Sequence, residues 1–397
     1  MQFGIHNSNT RQVLQGEHSM ICSSNHGQEI NKDKNEKGIV AEKRHFHKAN
    51  CKTTRFVYIV CLANVKARLS YAESESMSEW RINMMEQVCF GIDIGGTAVK
   101  AGLFNTEGKL LHKWDFSTQR TEDGKDILRD VAKFIKNKIE ELKLPMESVV
   151  GVGVGIPGPV TDDGQVLMLA NLGLANFNIE KEMSEMTGLK VKAGNDANVA
   201  AMGEYWMGGG KGYRSLVLAT LGTGVGGGII LNGHIVSGSN GAAGEIGHIH
   251  VNSDEKTDHC GCGKMGCLEQ YASATGIVKL AKKFLNESAE PSSLRGKEEI
   301  SAKMVFDHAK AGDKLALAAV DKACYYLGLA LSHAAHVVDP EAFVIGGGVS
   351  MAGEILTETI KKYYNEFVID SLKNKEFKLA TLGNDAGIYG AAKLIIA

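Results

Sequence analysis

Proline is scarce in this chain, five residues in 397, while glycine is abundant at 47 and falls in clusters. That imbalance argues against a disordered polymer, which would bring proline and low hydrophobicity, and fits tight turns between strands and loops. Long apolar runs are also missing: none reaches the roughly 18 residues that a membrane helix needs. The best-flanked candidate, Phe56–Val65, is little more than half that. No basic, apolar, small-residue segment of the signal-peptide kind opens the chain, so the expected compartment is the cytoplasm. Charge of one sign is missing too. A formal net charge of −2 gives no global attraction to nucleic acid or to an anionic membrane, and neither is expected as a partner. No Gly-x4-Gly-Lys-Ser/Thr string occurs, which excludes a Walker A phosphate loop. The length is enough for a sizeable core and two or three domains.

Residues 1–84 differ from the rest. They are rich in His, Asn, Lys and Ser and carry no sustained helical or alternating apolar pattern outside Arg55–Leu69. They read as a disordered or non-native extension. From Val88 the texture becomes a regular alternation of strand and helix. Strands are predicted at Val88–Ile94, Ala98–Phe104, Lys109–Phe116, Val149–Val154, Leu189–Ala193, Ser215–Leu221, Val225–Leu231 and Phe343–Ile345. Helices are predicted at Lys125–Leu142, Ala197–Met207, Thr275–Leu285, Ser301–Ala311, Lys314–Val338 and Gly387–Ile396. Two successive α/β units, each opening on a strand, a glycine turn and a strand, suggest related lobes around a cleft.

Five constellations carry chemistry. Asp93-Ile-Gly95-Gly96-Thr97 lies between two strands, where glycines let backbone N–H groups approach phosphate oxygens and Asp93 can reach a magnesium-bound water. Gly222-Thr223-Gly224 repeats that logic in the second unit. Either loop alone could be a plain hairpin turn; the pair suggests a clamp on a triphosphate. Asn195-Asp196 joins a strand to a helix, placing a carboxylate where it could take the proton of an attacking hydroxyl. Asp196 could equally cap that helix. Glu245-x-x-His248 is followed by Cys260-Gly-Cys262-x4-Cys267-Leu-Glu269. Three Cys and one His make a complete tetrahedral zinc set with no open position, a structural rather than a catalytic arrangement. The other five cysteines, Cys22, Cys51, Cys61, Cys89 and Cys324, are scattered singly and read as reduced residues. Gly346-Gly347-Gly348 ends a strand ahead of a helix and permits close approach by a flat ligand such as adenosine. A formal Gly-x-Gly-x-x-Gly at Gly153, Gly155 and Gly158 is rejected as a dinucleotide fingerprint, because Pro157 and Pro159 prevent the helix that should follow.

In this order the motifs resemble the ROK family of sugar kinases and sugar-responsive repressors, from about Val88 to the C-terminus, and within it the bacterial glucokinases most. The resemblance implies a two-lobed, actin-like (ribonuclease H-like) α/β fold with ATP and a hexose in the central cleft. It implies lobes at 85–196, joined by a C-terminal helix at 384–397, and at 197–383. It makes Asp196 the catalytic base for ATP-dependent phosphorylation of glucose. Gly158, Asn195, Glu245, His248 and Glu269 are then expected on the sugar. Asp93, Gly95, Gly96, Thr97, Gly222, Thr223 and Gly224 are expected on phosphates and Mg2+. Gly346, Gly347 and Gly348 face adenosine, and His248, Cys260, Cys262 and Cys267 hold structural Zn2+. A homodimer is also implied. Fructose or N-acetylmannosamine as acceptor, or a sugar-responsive repressor, are the alternatives. A repressor's helix-turn-helix finds almost no apolar spacing in residues 16–50.

Overall fold

The computed structural model describes residues 86–117, 126–169, 174–254 and 259–396. The reading of residues 1–84 as an extension lies outside the described residues.

Two five-stranded sheets organise the chain. The first contains β1 (Val88–Ile94), β2 (Ala98–Asn105), β3 (Leu110–Ser117), β4 (Val149–Ile156) and β7 (Val191–Asn195), in the order β3-β2-β1-β4-β7. The second contains β8 (Leu216–Leu221), β9 (Val225–Leu231), β10 (His234–Ile235), β11 (Ala342–Gly346) and β12 (Glu376–Leu379), in the order β10-β9-β8-β11-β12. In each, an antiparallel meander of three strands is extended by two parallel strands beside its first member. The repeated glycine turn in the sequence thus marks two sheets of one topology, the two-lobed α/β fold expected. The parallel strands are apolar on both faces, as strands covered by helices must be: every residue of β11 is buried, and all of β4 except Val150.

Helix α1 (Asp126–Glu141) covers the first sheet with Ile127, Leu128, Val131 and Ile135, an apolar stripe at helical spacing. The hairpin β5 (Gln165–Leu169)–β6 (Leu174–Asn178) and α2 (Ile179–Thr187) follow. Two helices tie the lobes together. One is α3 (Asp196–Met207), which directly continues β7 and packs on β9; the other is the last helix, Ala386–Ile396, which packs on α3, β1 and β4. The approach is close enough to require glycine: a methyl on Gly153 would lie 1.6 Å from the Ala391 carbonyl oxygen.

The second lobe adds α4 (Glu269–Ala272), α5 (Ala274–Glu287), α6 (Ala302–Lys310), α7 (Lys314–Val338) and α8 (Glu354–Phe367), with α9 (Ala386–Ile396) returning to the first sheet. Among the described residues only α7 is long and apolar enough to cross a membrane, and it is the core helix, packed against α5, α6 and α8. The hairpin β5–β6, α2, β10, α4, α8 and β12 are additions to the element ranges that the sequence suggested. β12 has four residues and no fully buried position, so it has no periodicity to detect; parallel pairing with β11 creates it.

Candidate active site

Asn195 is the last residue of β7 and the N-cap of α3. Its Oδ1 accepts from the N–H groups of Ala197 (3.0 Å) and Asn198 (3.1 Å), and its Nδ2 donates to the Gly158 carbonyl (3.1 Å). The capping role that could have belonged to Asp196 is therefore filled by its neighbour. Asp196 lies one position inside the helix, where its Oδ1 accepts from Ala197 N–H (2.8 Å) and the residue remains exposed. Protein on both sides removes much of the water around it even so. That desolvation, with lesser repulsion from Asp93 and Glu245, raises the Asp196 carboxyl to about 6. Burial also pushes Asp93 up, and Lys100, its partner in the β1–β2 register, pulls it back down. Asp93 on β1 and Glu245 in the segment after β10 thus both bear on Asp196 at the start of α3, an arrangement that suits a hydroxyl proton and a divalent cation.

Gly158 has φ of +101° and offers its carbonyl to Asn195 as described. Glu245 and His248 flank a short 3-10 turn, Ile246–His248, and both are exposed. Glu269 is half-buried at the start of α4; its Oε2 accepts from Val225 N–H (3.1 Å) and its Oε1 lies 3.7 Å from the Cys260 sulfur. The structure therefore joins Asn195 to Gly158 by a direct bond, with Asp196 next to Asn195 in the chain and both accepting from Ala197 N–H, and links Glu269 both to the second glycine turn and to the cysteine loop.

The ligating atoms of His248, Cys260, Cys262 and Cys267 all lie within 4.8 Å of one another. Cys262 and Cys267 sulfurs are 3.7 Å apart, and Cys260 sulfur is 3.6 Å from His248 Nδ1. A tetrahedral ion with metal–sulfur bonds of about 2.3 Å and a metal–nitrogen bond of about 2.0 Å requires spacings of roughly 3.5–3.8 Å, which these two pairs meet while the whole set stays within 4.8 Å, so the donor set suits such an ion. Backbone bonds preform the loop: Cys260 N–H to Lys264 O at 2.7 Å, Val251 N–H to Gly266 O at 2.8 Å and Leu268 N–H to Ile249 O at 2.9 Å. With Nδ1 turned to the sulfurs, His248 keeps Nε2 on the opposite side of its ring.

The turn Asp93–Thr97 closes the β1–β2 hairpin, with Gly95 N–H donating to Ala98 O (2.9 Å). Gly222–Gly224 closes β8–β9 and is fastened to the start of α5, since Ala274 N–H donates to Gly222 O (2.8 Å) and the Thr275 hydroxyl to Thr223 O (3.2 Å). Gly346, Gly347 and Gly348 border a cavity of about 560 Å3, together with Thr381, Ala200 and Glu204. Asp196, Ala200 and Glu204 stand at i, i+4 and i+8 on α3, so one helix face runs from the carboxylate to the cavity wall.

Sequence reasoning missed three participants, Lys100, Gly387 and Glu204; Asn198 belongs to the same motif as Asn195 and Asp196, but its burial is not legible there. Lys100 is found only through strand register. Gly387 is found only because α9 folds back: a methyl there would lie 2.6 Å from the Asp93 carboxyl carbon. Asn198 Oδ1 is buried without a hydrogen-bond partner among the described residues, beside Gly244 of the Glu245 segment. Glu204 had one signal, an acidic residue in an otherwise apolar helix stripe just before Gly208-Gly209-Gly210.

The sequence profile of the ROK family matches residues 89–397. A glucokinase of Halalkalibacterium halodurans is 40% identical over 79% of this chain and 96% of its own length. A glucokinase of Thermotoga maritima is 36% identical over 77% of this chain and 96% of its own. Among solved structures, a ROK family glucokinase from Streptomyces griseus, in complex with glucose and AMPPNP, aligns with a TM-score of 0.61 at 34% identity. It covers 77% of this chain and 98% of its own.

Proposed function

The chain belongs to the ROK family, and from that premise we propose that it is an ATP-dependent hexose kinase whose preferred acceptor is glucose, converted to glucose 6-phosphate. The observation that carries this reading is the face of α3, with a raised, exposed Asp196 at one end and the glycine-walled cavity at the other. Asp196 takes the proton of the sugar 6-hydroxyl as that oxygen bonds to the γ-phosphorus and the bond to the β-bridging oxygen breaks, releasing ADP. A base poised near neutrality suits that task better than an ordinary aspartate.

Asn195 and Gly158, bonded to each other, position the α3 start under the sugar, with Glu245, His248 and Glu269 on its other hydroxyls. Backbone N–H groups of Asp93–Thr97 and Gly222–Gly224 hold the phosphates, and Asp93 faces the nucleotide's Mg2+, whose charge offsets that of the transferred group. Gly346–Gly348 face adenosine. Zinc held by His248, Cys260, Cys262 and Cys267 would supply a fixed tetrahedral node for the loop that carries His248 and adjoins Glu269. Closing of the lobes, 85–196 with 384–397 against 197–383, excludes water as a competing acceptor. A cytoplasmic homodimer belongs to the same reading.

The test is coupled ADP formation over a panel of glucose, fructose, mannose and N-acetylmannosamine. The reading expects glucose to have the highest kcat/KM; fructose or N-acetylmannosamine leading it would reassign the acceptor. No sugar-dependent ADP formation with any of them would remove the kinase reading.

A further inference from the structure

Glu204 is 1% exposed, two turns along α3 from Asp196 and in the wall of the 560 Å3 cavity. A carboxylate so placed is costly unless its oxygens find donors. Its Oε2 accepts from Gly209 N–H (2.8 Å) and Thr381 N–H (3.0 Å), and its Oε1 from Leu382 N–H (2.9 Å). The glycines after α3 make this wrapping possible: a methyl on Gly208 would lie 2.0 Å from Oε2, and one on Gly209 would lie 2.1 Å from the Leu379 carbonyl oxygen. One carboxylate therefore joins the end of α3, the glycine turn and the segment linking β12 to α9.

That segment is held from its other side as well. Lys100 Nζ donates to the Asn384 carbonyl (2.9 Å) and Lys113 Nζ pairs with Asp385 (2.6 Å). Thr381, Gly383 and Asn384 border the same cavity as Gly346–Gly348. Glu204 lies in that wall with both carboxylate oxygens taken by backbone N–H groups, an arrangement that suits support of the wall rather than contact with a reacting atom.

We propose that Glu204 is a positioning residue for the nucleoside half of ATP: its carboxylate fixes the Thr381–Asn384 wall and thereby sets nucleotide affinity, leaving the sugar end untouched. The inference rests on reading this cavity as the nucleotide pocket. Three N–H donors on two oxygens need acceptors on both. Glutamine offers one oxygen and sets an N–H donor of its own against a backbone N–H, so Glu204→Gln breaks the clamp while keeping its volume.

The experiment measures ADP binding by calorimetry, and KM and kcat for ATP and glucose, in wild type, Glu204→Gln and Leu382→Pro. Leu382 has φ of −81°, within proline's reach, so the second variant deletes one donor and leaves the carboxylate in place. Both variants are expected to weaken ADP binding and raise the ATP KM by about tenfold, the size of one lost hydrogen bond to a charged group. The glucose KM and the kcat at saturating ATP are expected to stay within about twofold, a split that general loosening would not produce. ADP affinity unchanged in a folded variant, or a glucose KM rising in step with that for ATP, would overturn the clamp. Should Glu204→Gln fail to fold, Leu382→Pro decides. Wild-type protein that binds no ADP would overturn the pocket reading and the clamp with it; wild type that binds ADP alongside variants that bind it equally overturns the clamp alone.

Discussion

Asp196 is ambiguous in the sequence because a carboxylate at a strand-to-helix junction suits both a cap and a base. The fold resolves the first half of that ambiguity by assigning the cap to Asn195, whose two acceptor lone pairs are both taken by α3 N–H groups. Two predictions belong to Asp196. As a base it must be deprotonated, so kcat/KM for the sugar is expected to fall with unit slope as pH drops below about 6 in the free enzyme. A profile flat down to pH 4.5 would contradict this assignment. The second concerns stability. Its folded pKa lies above the ordinary 3.8, so the favourable contribution is complete below that value and is lost as pH rises through about 6. Asp196→Asn, which cannot ionise, is therefore expected to melt higher than wild type at pH 8, with the gap closing toward pH 4; thermal scans at the two pH values check it. Lys100 and Glu204 escaped sequence reasoning for a common reason. One acts through cross-strand register and the other through a segment 177 residues away, and neither relation has a local pattern.

Among the elements, the cysteine loop was the most legible, since ligand spacing is a local property that needs no fold to be read. What the fold adds is the connection from Cys260 to Glu269 and from Glu269 to the Val225 N–H, which joins the cysteine loop to the second glycine turn. Cys262→Ser, at an exposed ligand, is expected to lower bound zinc well below one per chain and to raise the glucose KM on the order of tenfold, the usual effect of disturbing a ligand's support. ADP affinity should stay close to wild type. Metal analysis and calorimetry measure both, and a fully zinc-free variant with an unchanged glucose KM would detach the loop from the sugar. β5–β6 and β12 were not legible because each is held by pairing with a neighbour rather than by its own apolar period.

At the scale of the whole molecule, two sheets of one strand order are joined through α3 and α9. The repeat was visible as two glycine turns. The return of α9 to the first lobe was expected from the family resemblance, which joined 384–397 to 85–196, but its close approach was not legible, because that depends on where glycines meet across 238 residues of chain, as Gly153 meets Ala391. Gly153→Ala sets a methyl against backbone that has no rotamer to yield, and is expected to lower the melting temperature by at least about 5 °C. An unchanged melting curve would show that α9 sits more loosely. Both lobes contribute to the proposed chemistry, the first sheet with Asp93 and the second with the cysteine loop and the cavity, and Asp196 stands at their junction. Its role is tested most directly by glucose-dependent ADP formation in wild type and Asp196→Asn side by side, with glucose binding measured on both. The account predicts a loss of kcat of at least about a hundredfold with glucose affinity kept within a few-fold. A variant within about tenfold of wild-type kcat would contradict it.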